Sequence, residues 1–186
     1  MRAWTIVAAV ALAWSAAGHA VEVGGVGIAD QASVGGQELV LNGAGVRTRA
    51  IFKVYVASLY VPAKATTPAA VLAKGPRRIQ MTLLRNLSAD QLVDALVDGL
   101  KDNNGEADLA AVKAQQEQMV TVMKGFGEVK EKDVVALDYV DGATRILLNG
   151  QVKATIPGDA FNAALTRIWL GDKPVQADLK KALLGG

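Results

Sequence analysis

Apolar and polar positions alternate with a period of two along Ile51 to Tyr60. Phe52, Val54, Val56 and Tyr60 fall on one side, and Ile51, Lys53, Tyr55, Ala57 and Leu59 on the other, which is the repeat of a strand. The surrounding stretch, Leu39 to Pro62, is the longest run that reads as strand; its main strand extends from about Arg49 to Val61, and Pro62 stops it. The first set predicts a core face. The second, which begins with Arg47 and Arg49, mixes charge, a phenol and small apolar residues. Upstream, apolar residues spaced by glycines over Val21 to Val34, then Gly35-Gly36 and Gln37 to Leu41, predict one or two edge strands, and Asn42-Gly43 reads as a turn.

Downstream, the period changes several times. Thr67 as N-cap, Pro68 at the first helical position and Gly75 as terminator predict a short helix over Pro68 to Lys74. Arg78 to Leu84 alternates again as a half-buried strand. Ser88 and Gln91 form a capping box before a helix with Leu92, Val93, Leu96, Val97 and Leu100 on its apolar stripe and Asp90, Asp94, Asp98 and Lys101 opposite. A second helix is predicted over Glu106 to Lys124, with Gly125 closing it. Val134 to Val140, Ala143 to Leu148 and Gln151 to Ile156, joined by Asp141-Gly142 and Asn149-Gly150, form a three-strand meander. Asp159 is placed to cap a helix burying Phe161, Ala164, Leu165, Ile168 and Trp169, and a last short helix carries Leu179 and Leu183. No repeat, low-complexity tract or dividing linker interrupts the sequence. The pattern therefore predicts one α+β domain, with helices packed on one face of an antiparallel sheet.

Composition adds an export signal to this picture. The chain has 186 residues and is 51% hydrophobic, but part of that belongs to residues 1–20. There Arg2 precedes an apolar run, Ala3 to Ala13, and the small residues up to Ala20 suit cleavage, which is the layout of a secretory signal. The mature domain is then 21–186, periplasmic or secreted. The run is too short and too poorly flanked for a confident transmembrane span, a retained N-terminal anchor being the lesser alternative to cleavage, and no later stretch predicts stable membrane insertion. Removing Arg2 from 20 basic residues leaves 19 against 18 acidic ones, a net charge of about +1 that gives no sign of nucleic-acid binding. Cleavage also removes His19, the one histidine, and the chain has no cysteine. Cysteine nucleophiles, histidine bases, disulfides, lipoprotein attachment and nearly all metal sites ligated by nitrogen or sulfur are thereby excluded; no cofactor or metal is predicted.

Few candidate sites survive these exclusions. The glycines of Gly43-Ala-Gly45 lead into no capped helix bearing lysine and hydroxyl, as a phosphate loop requires. Asp90, Asp94 and Asp98 read as a solvated helix face, Ser88 is a cap, and Met119 and Met123 are core filling. Arg47, Arg49, Lys53 and Tyr55 remain. They can be rim residues snorkelling from a sheet edge. Alternatively, a guanidinium with a phenol as second donor beside small apolar residues can fix a carboxylate in an apolar pocket. Geometry sets a condition on the second reading. In one straight strand Arg47 and Tyr55 stand about 26 Å apart, at roughly 3.3 Å per residue, so the chain must reverse near Thr48 to Ala50.

The stretch GAGVRTRAIFKVYVASLY (residues 43–60) resembles the beginning of the chalcone isomerase-like family, which has a glycine-flanked arginine followed by a strand ending in a Gly-Val-Tyr-like triplet. AALTRIWLGDKPVQADLKKALLG (residues 163–185) is similar to that family's closing helices. The resemblance spans about residues 35–185. It implies an open-faced β-sandwich, a large antiparallel sheet covered on one face by helices, with a ligand cleft between the layers. The family's isomerases use the arginine that matches Arg47 and a threonine that falls at Tyr55. Their tyrosine, lysine and asparagine on the next helix fall at Leu92, Ala95 and Gly99, and a further polar position falls at Ile168. The lipid-binding branch has a tyrosine where Tyr55 stands. The resemblance thus implies a non-catalytic protein in which Arg47 and Tyr55 clamp a fatty acid or aromatic carboxylate, with Arg49 and Lys53 at the rim. Two alternatives stay open: an isomerase of the intramolecular lyase type acting on a conjugated ketone, and a structural or partner-binding domain.

Overall fold

The computed structural model describes residues 20–73 and 75–186. Residues 1–19 of the predicted signal segment lie outside the described residues. Eleven strands and six helices follow in the order β1 (Ala20–Val23), β2 (Val26–Ala29), β3 (Gln31–Val34), β4 (Gln37–Arg49), β5 (Phe52–Val61), α1 (Pro68–Leu72), β6 (Arg77–Leu83), β7 (Leu87–Ser88), α2 (Ala89–Asn103), α3 (Glu106–Ala111), α4 (Lys113–Lys124), β8 (Glu128–Val129), β9 (Val134–Val140), β10 (Ala143–Leu148), β11 (Gln151–Pro157), α5 (Asp159–Leu170) and α6 (Ala177–Leu183).

One antiparallel sheet dominates, with strand order β11-β10-β9-β6-β5-β4-β3. The predicted meander is its β9 to β11 end. Asp141-Gly142 and Asn149-Gly150 have positive φ at both residues, 53° and 73°, then 51° and 77°, as tight primed turns require. The helices lie on one face and enclose the main core, in which Leu59, Leu100, Ile146, Phe161 and Leu183 are fully buried. Mixed α and β elements, one large antiparallel sheet and a one-sided helical layer make the open-faced α+β sandwich.

The second face is also partly covered, which the strand pattern did not predict. The β1–β2 hairpin and β3 pack there, so that Val56 and Tyr60 sit in a smaller core with Ile28 and Leu39, and the Tyr60 hydroxyl donates to Ala29 O at 3.0 Å. The main core lies instead under the parity of Ala57, Leu59 and Val61. Alternation marked the strand correctly, and Val56 and Tyr60 of the first set do bury in a core, but the larger core lies under the other set.

Several local expectations change. Asn42-Gly43 is no turn but a bulge within β4, where the pairing with β5 slips between Leu41 and Gly43. Arg49 ends β4 rather than opening β5. The helix predicted over Glu106 to Lys124 breaks at Val112, whose φ is −111° and whose side chain is drawn into the core. Gly125 has an ordinary φ of −67°, and Gly127, at 67°, takes the left-handed position. Asp159 does not cap α5; it is the first helical residue and accepts a hydrogen bond from the Tyr139 hydroxyl at 2.6 Å. The capping box at Ser88 and Gln91 forms in both directions.

The bulge anchors α6. Strand β3 pairs with β4 only over Gln37 to Val40, which leaves the remainder of that edge of β4 without a strand neighbour, a liability unless covered. Helix α6 covers it. Asn42 Nδ2 donates to Leu183 O at 2.7 Å and to Ala65 O at 2.8 Å, while Asn42 Oδ1 accepts from Ala65 N at 2.7 Å. A Cβ on Gly43 would meet Ala182 O at 2.0 Å, so only glycine admits the helix this close. Just before α6, Gln176 Oε1 accepts from Thr48 N at 2.8 Å and Gln176 Nε2 donates to Val46 O at 3.3 Å. The side-chain amide thus meets β4 as another strand would, directly beside Arg47.

Candidate functional site

The chain reverses at Ala50 and Ile51, with Ala50 at a φ of 53°. Arg47 and Tyr55 thereby become cross-strand partners in the β4–β5 register. The condition set by the 26 Å straight-strand separation is met by a hairpin, and both side chains project toward the helical layer. Arg47 is partly buried. Its Nη1 donates to Thr48 O and lies 3.4 Å from Gln176 Oε1.

Tyr55 is fixed from the opposite side. Its hydroxyl accepts from Trp169 Nε1 of α5 at 3.0 Å. A phenol has one proton to donate and two lone pairs, so this contact leaves the proton available for a ligand. Burial pushes the Tyr55 pKa above its ordinary value of 10.0; the Trp169 hydrogen bond and then the Arg47 charge oppose the shift. The phenol is therefore a neutral donor at neutral pH.

Both residues line a cavity of about 850 Å³ between sheet and helices. Its deep walls are apolar, with Met81 and Leu137 from the sheet and Leu96, Met123 and Leu165 from the helices. Arg49 lines the mouth, whereas Lys53 is exposed and lies outside the lining, so only one of the two predicted rim cations belongs there. Leu92, Ala95, Gly99 and Ile168 also line the cavity. None of them offers a side-chain hydrogen-bond donor. Gly99 and Ile168 close on each other: a Cβ at Gly99 would lie 2.8 Å from Ile168 Cγ2. Helices α2 and α5 meet at this point.

Sequence reasoning missed several wall residues. Trp169 fits the apolar face of α5, and nothing in its spacing showed that its indole nitrogen reaches Tyr55. Nothing in the sequence singled out Gln176, which precedes the last short helix. Asp94, Asp98 and Asp102 are exposed, as a solvated face requires, yet they also border the mouth opposite Arg49. Arg85, Gln91 and Lys173 line it as well. Among the described residues no group of three His, Cys, Asp or Glu side chains could hold a metal ion. No helix among them is long and apolar enough to cross a membrane.

The remaining buried charges lie on β6 and β9, away from the hairpin tip. Arg78 binds Asp138 through both oxygens at 2.5 and 2.7 Å. The Arg77 guanidinium stacks 4.2 Å from the centre of the Tyr139 ring. The Arg78–Asp138 pair is satisfied within itself, whereas the buried Arg77 Nε has no hydrogen-bond partner among the described residues.

A comparison with curated protein sequences finds no match. Among solved structures, the fold is similar to that of a fatty-acid binding protein from Arabidopsis thaliana, with a TM-score of 0.66 and 10% identity, over 86% of this chain and 92% of that one. At that identity the likeness is one of fold. The sequence model for chalcone isomerase-like proteins matches residues 20–185, which takes in the hairpin of Arg47 and Tyr55, the cavity walls and the α6 latch. The chain belongs to the chalcone isomerase-like family.

Proposed function

We propose that the cleft binds a fatty acid or similar amphipathic carboxylate and does not transform it. The observation that carries this reading is the pairing of Arg47 and Tyr55, across one hairpin, at the wall of a cavity of about 850 Å³ that is otherwise mostly apolar. Arg47 supplies the charge-assisted hydrogen bonds and Tyr55 a neutral donor, while the apolar chain lies against Leu96, Met123 and Leu165. The fold likeness to a plant fatty-acid binding protein supports the same reading. Turnover of a conjugated ketone finds no support at the positions that would need polar groups, which are Leu92, Ala95, Gly99 and Ile168. Residues 1–20 are read as an export signal that places the domain in the periplasm or outside the cell.

Of the three tryptophans, Trp4 and Trp14 fall within residues 1–20 and only Trp169 lies in residues 21–186, so the mature domain carries its own probe beside Tyr55. Titrating that domain with a long-chain fatty acid should change Trp169 emission saturably. A charge-assisted hydrogen bond contributes about 1.5 to 3 kcal/mol, so Arg47→Ala should weaken binding by at least about tenfold. Equal affinity for wild type and Arg47→Ala sinks the clamp. Loss of chalcone absorbance faster than the spontaneous rate, and dependent on Arg47, would replace binding with catalysis.

A further inference from the structure

Four large apolar side chains are strongly exposed among the described residues, and two of them are adjacent: Ile51 at 85% and Phe52 at 54%. They form the tip of the β4–β5 hairpin, beside the cavity mouth, which Phe52 and Arg49 both line. Single exposed apolar residues are ordinary, but a contiguous pair at a loop tip ringed by cations is not. Arg49, Lys53 and Arg85 are all exposed around the pair, and the Arg85 guanidinium sits 4.7 Å above the centre of the Phe52 ring. Among the described residues no acidic side chain forms a salt bridge with any of these three cations. The neighbouring turn adds Lys130 and Lys132 against Glu131 and Asp133, which cancel. Across the mouth, Asp94, Asp98 and Asp102 border the α2 wall.

We propose that the hairpin tip docks the protein on an anionic phospholipid bilayer, with Ile51 and Phe52 entering the interface and Arg49, Lys53 and Arg85 holding the headgroups. The charge distribution selects this occupant and its orientation. An anionic surface attracts the basic hairpin and repels the acidic α2 wall, so the molecule meets the bilayer tip first. A bilayer also provides an apolar layer directly beneath its charged surface, which matches two exposed apolar residues set among cations. Docking in this pose brings the hairpin side of the cavity mouth to the lipid surface and leaves the acidic α2 side turned away from it. The inference stands whether or not the cleft's ligand is a fatty acid, because it concerns where the protein binds rather than what fills the cavity.

Vesicle flotation tests it, using residues 21–186 and vesicles of phosphatidylcholine with or without about one-third phosphatidylglycerol. Wild type should float with the anionic vesicles at low salt and be released as salt rises, since the attraction is screened over about 10 Å at 0.1 M. Ile51→Ser with Phe52→Ser should reduce partitioning at least about tenfold. Arg49→Ser and Arg85→Ser should each cost about fivefold. Val21→Ser is the control, since Val21 is also exposed, at 49%, but belongs to β1 and pairs with Ile28 away from the tip. Circular dichroism confirms that each variant is folded. The proposal fails if wild type does not float, if it floats equally with neutral vesicles, or if the Ile51/Phe52 variant floats as wild type does. Retention by the Ile51/Phe52 variant but loss by Val21→Ser would overturn it in the same way.

Discussion

Asn42 gives the sharpest test of how this fold holds its site. Its amide is 2% exposed and makes hydrogen bonds at 2.8, 2.7 and 2.7 Å, all to backbone groups, of Ala65 twice and of Leu183 once. Truncation to alanine leaves one N–H and two carbonyls without their partner. A buried polar group left unpaired costs about 1 to 3 kcal/mol, and relaxation at the chain end near Leu183 recovers part of that. The net loss for Asn42→Ala should be about 3 kcal/mol. With a urea m-value of about 2 kcal/mol/M, the unfolding midpoint followed by circular dichroism should fall by roughly 1.5 M. Asn42→Asp separates hydrogen bonding from packing, because the shape is kept while a donor to two carbonyls becomes a carboxylate facing them. It should be at least as damaging as alanine. An aspartate variant within about 0.5 kcal/mol of wild type would refute the reasoning, since the site would then depend on shape alone.

The other predictions concern close approaches and protons. Gly43→Ala forces a Cβ to within 2.0 Å of Ala182 O and should cost about 1 to 3 kcal/mol, whereas Gly105→Ala, with nothing within 4 Å of its Cβ, should stay within about 0.5 kcal/mol of wild type; urea midpoints decide. Gly99→Asn should be strongly destabilising alone and much less so with Ile168→Ala, because the added Cβ meets Ile168 at 2.8 Å; a double-mutant cycle giving simple additivity would disprove that contact. Burial raises the pKa of Tyr55 and of Tyr60 above 10.0. Their contribution is therefore fully present below pH 10 and lost as pH rises through the raised values. Urea midpoints should hold steady up to pH 9 or so and then fall by about pH 11, and Tyr55→Phe should fall less over the same interval; a steeper fall in that variant contradicts the assignment.

The fold was legible wherever local chemistry fixes conformation by itself. Asp141-Gly142 and Asn149-Gly150 demand positive φ at both positions, and Ser88 with Gln91 satisfies its own helix start, so those elements needed no tertiary information. Asn42-Gly43 has the same kind of sequence signature as the other two Asx-Gly turns, and it misled for a physical reason. Its asparagine bonds to residues 23 and 141 positions away, and its glycine is there to admit a helix, not to turn the chain. Both pressures select the residues a turn would select. The break at Val112 was likewise hidden, because Val112 fits the apolar spacing of one continuous helix and a valine carries no helix-stop signal.

The site was readable in its parts and not in its assembly. Arg47 and Tyr55 could be named as a candidate pair for a carboxylate from their chemistry, but whether they meet depends on two residues, Ala50 and Ile51, that carry no strong turn signal. Ala50 holds a φ of 53°, a conformation that favours glycine or asparagine, so nothing local announced the reversal. The same reversal explains why the cations separated into two groups. Once the chain turns at Ala50, Arg47 is carried inward beside Gln176 and Tyr55 is carried to Trp169, while Arg49, Ile51, Phe52 and Lys53 are left at the tip. A hairpin whose stem lines an apolar cavity must expose whatever occupies its end. In this chain the end holds two large apolar residues among cations, a composition that a purely solvated turn does not require.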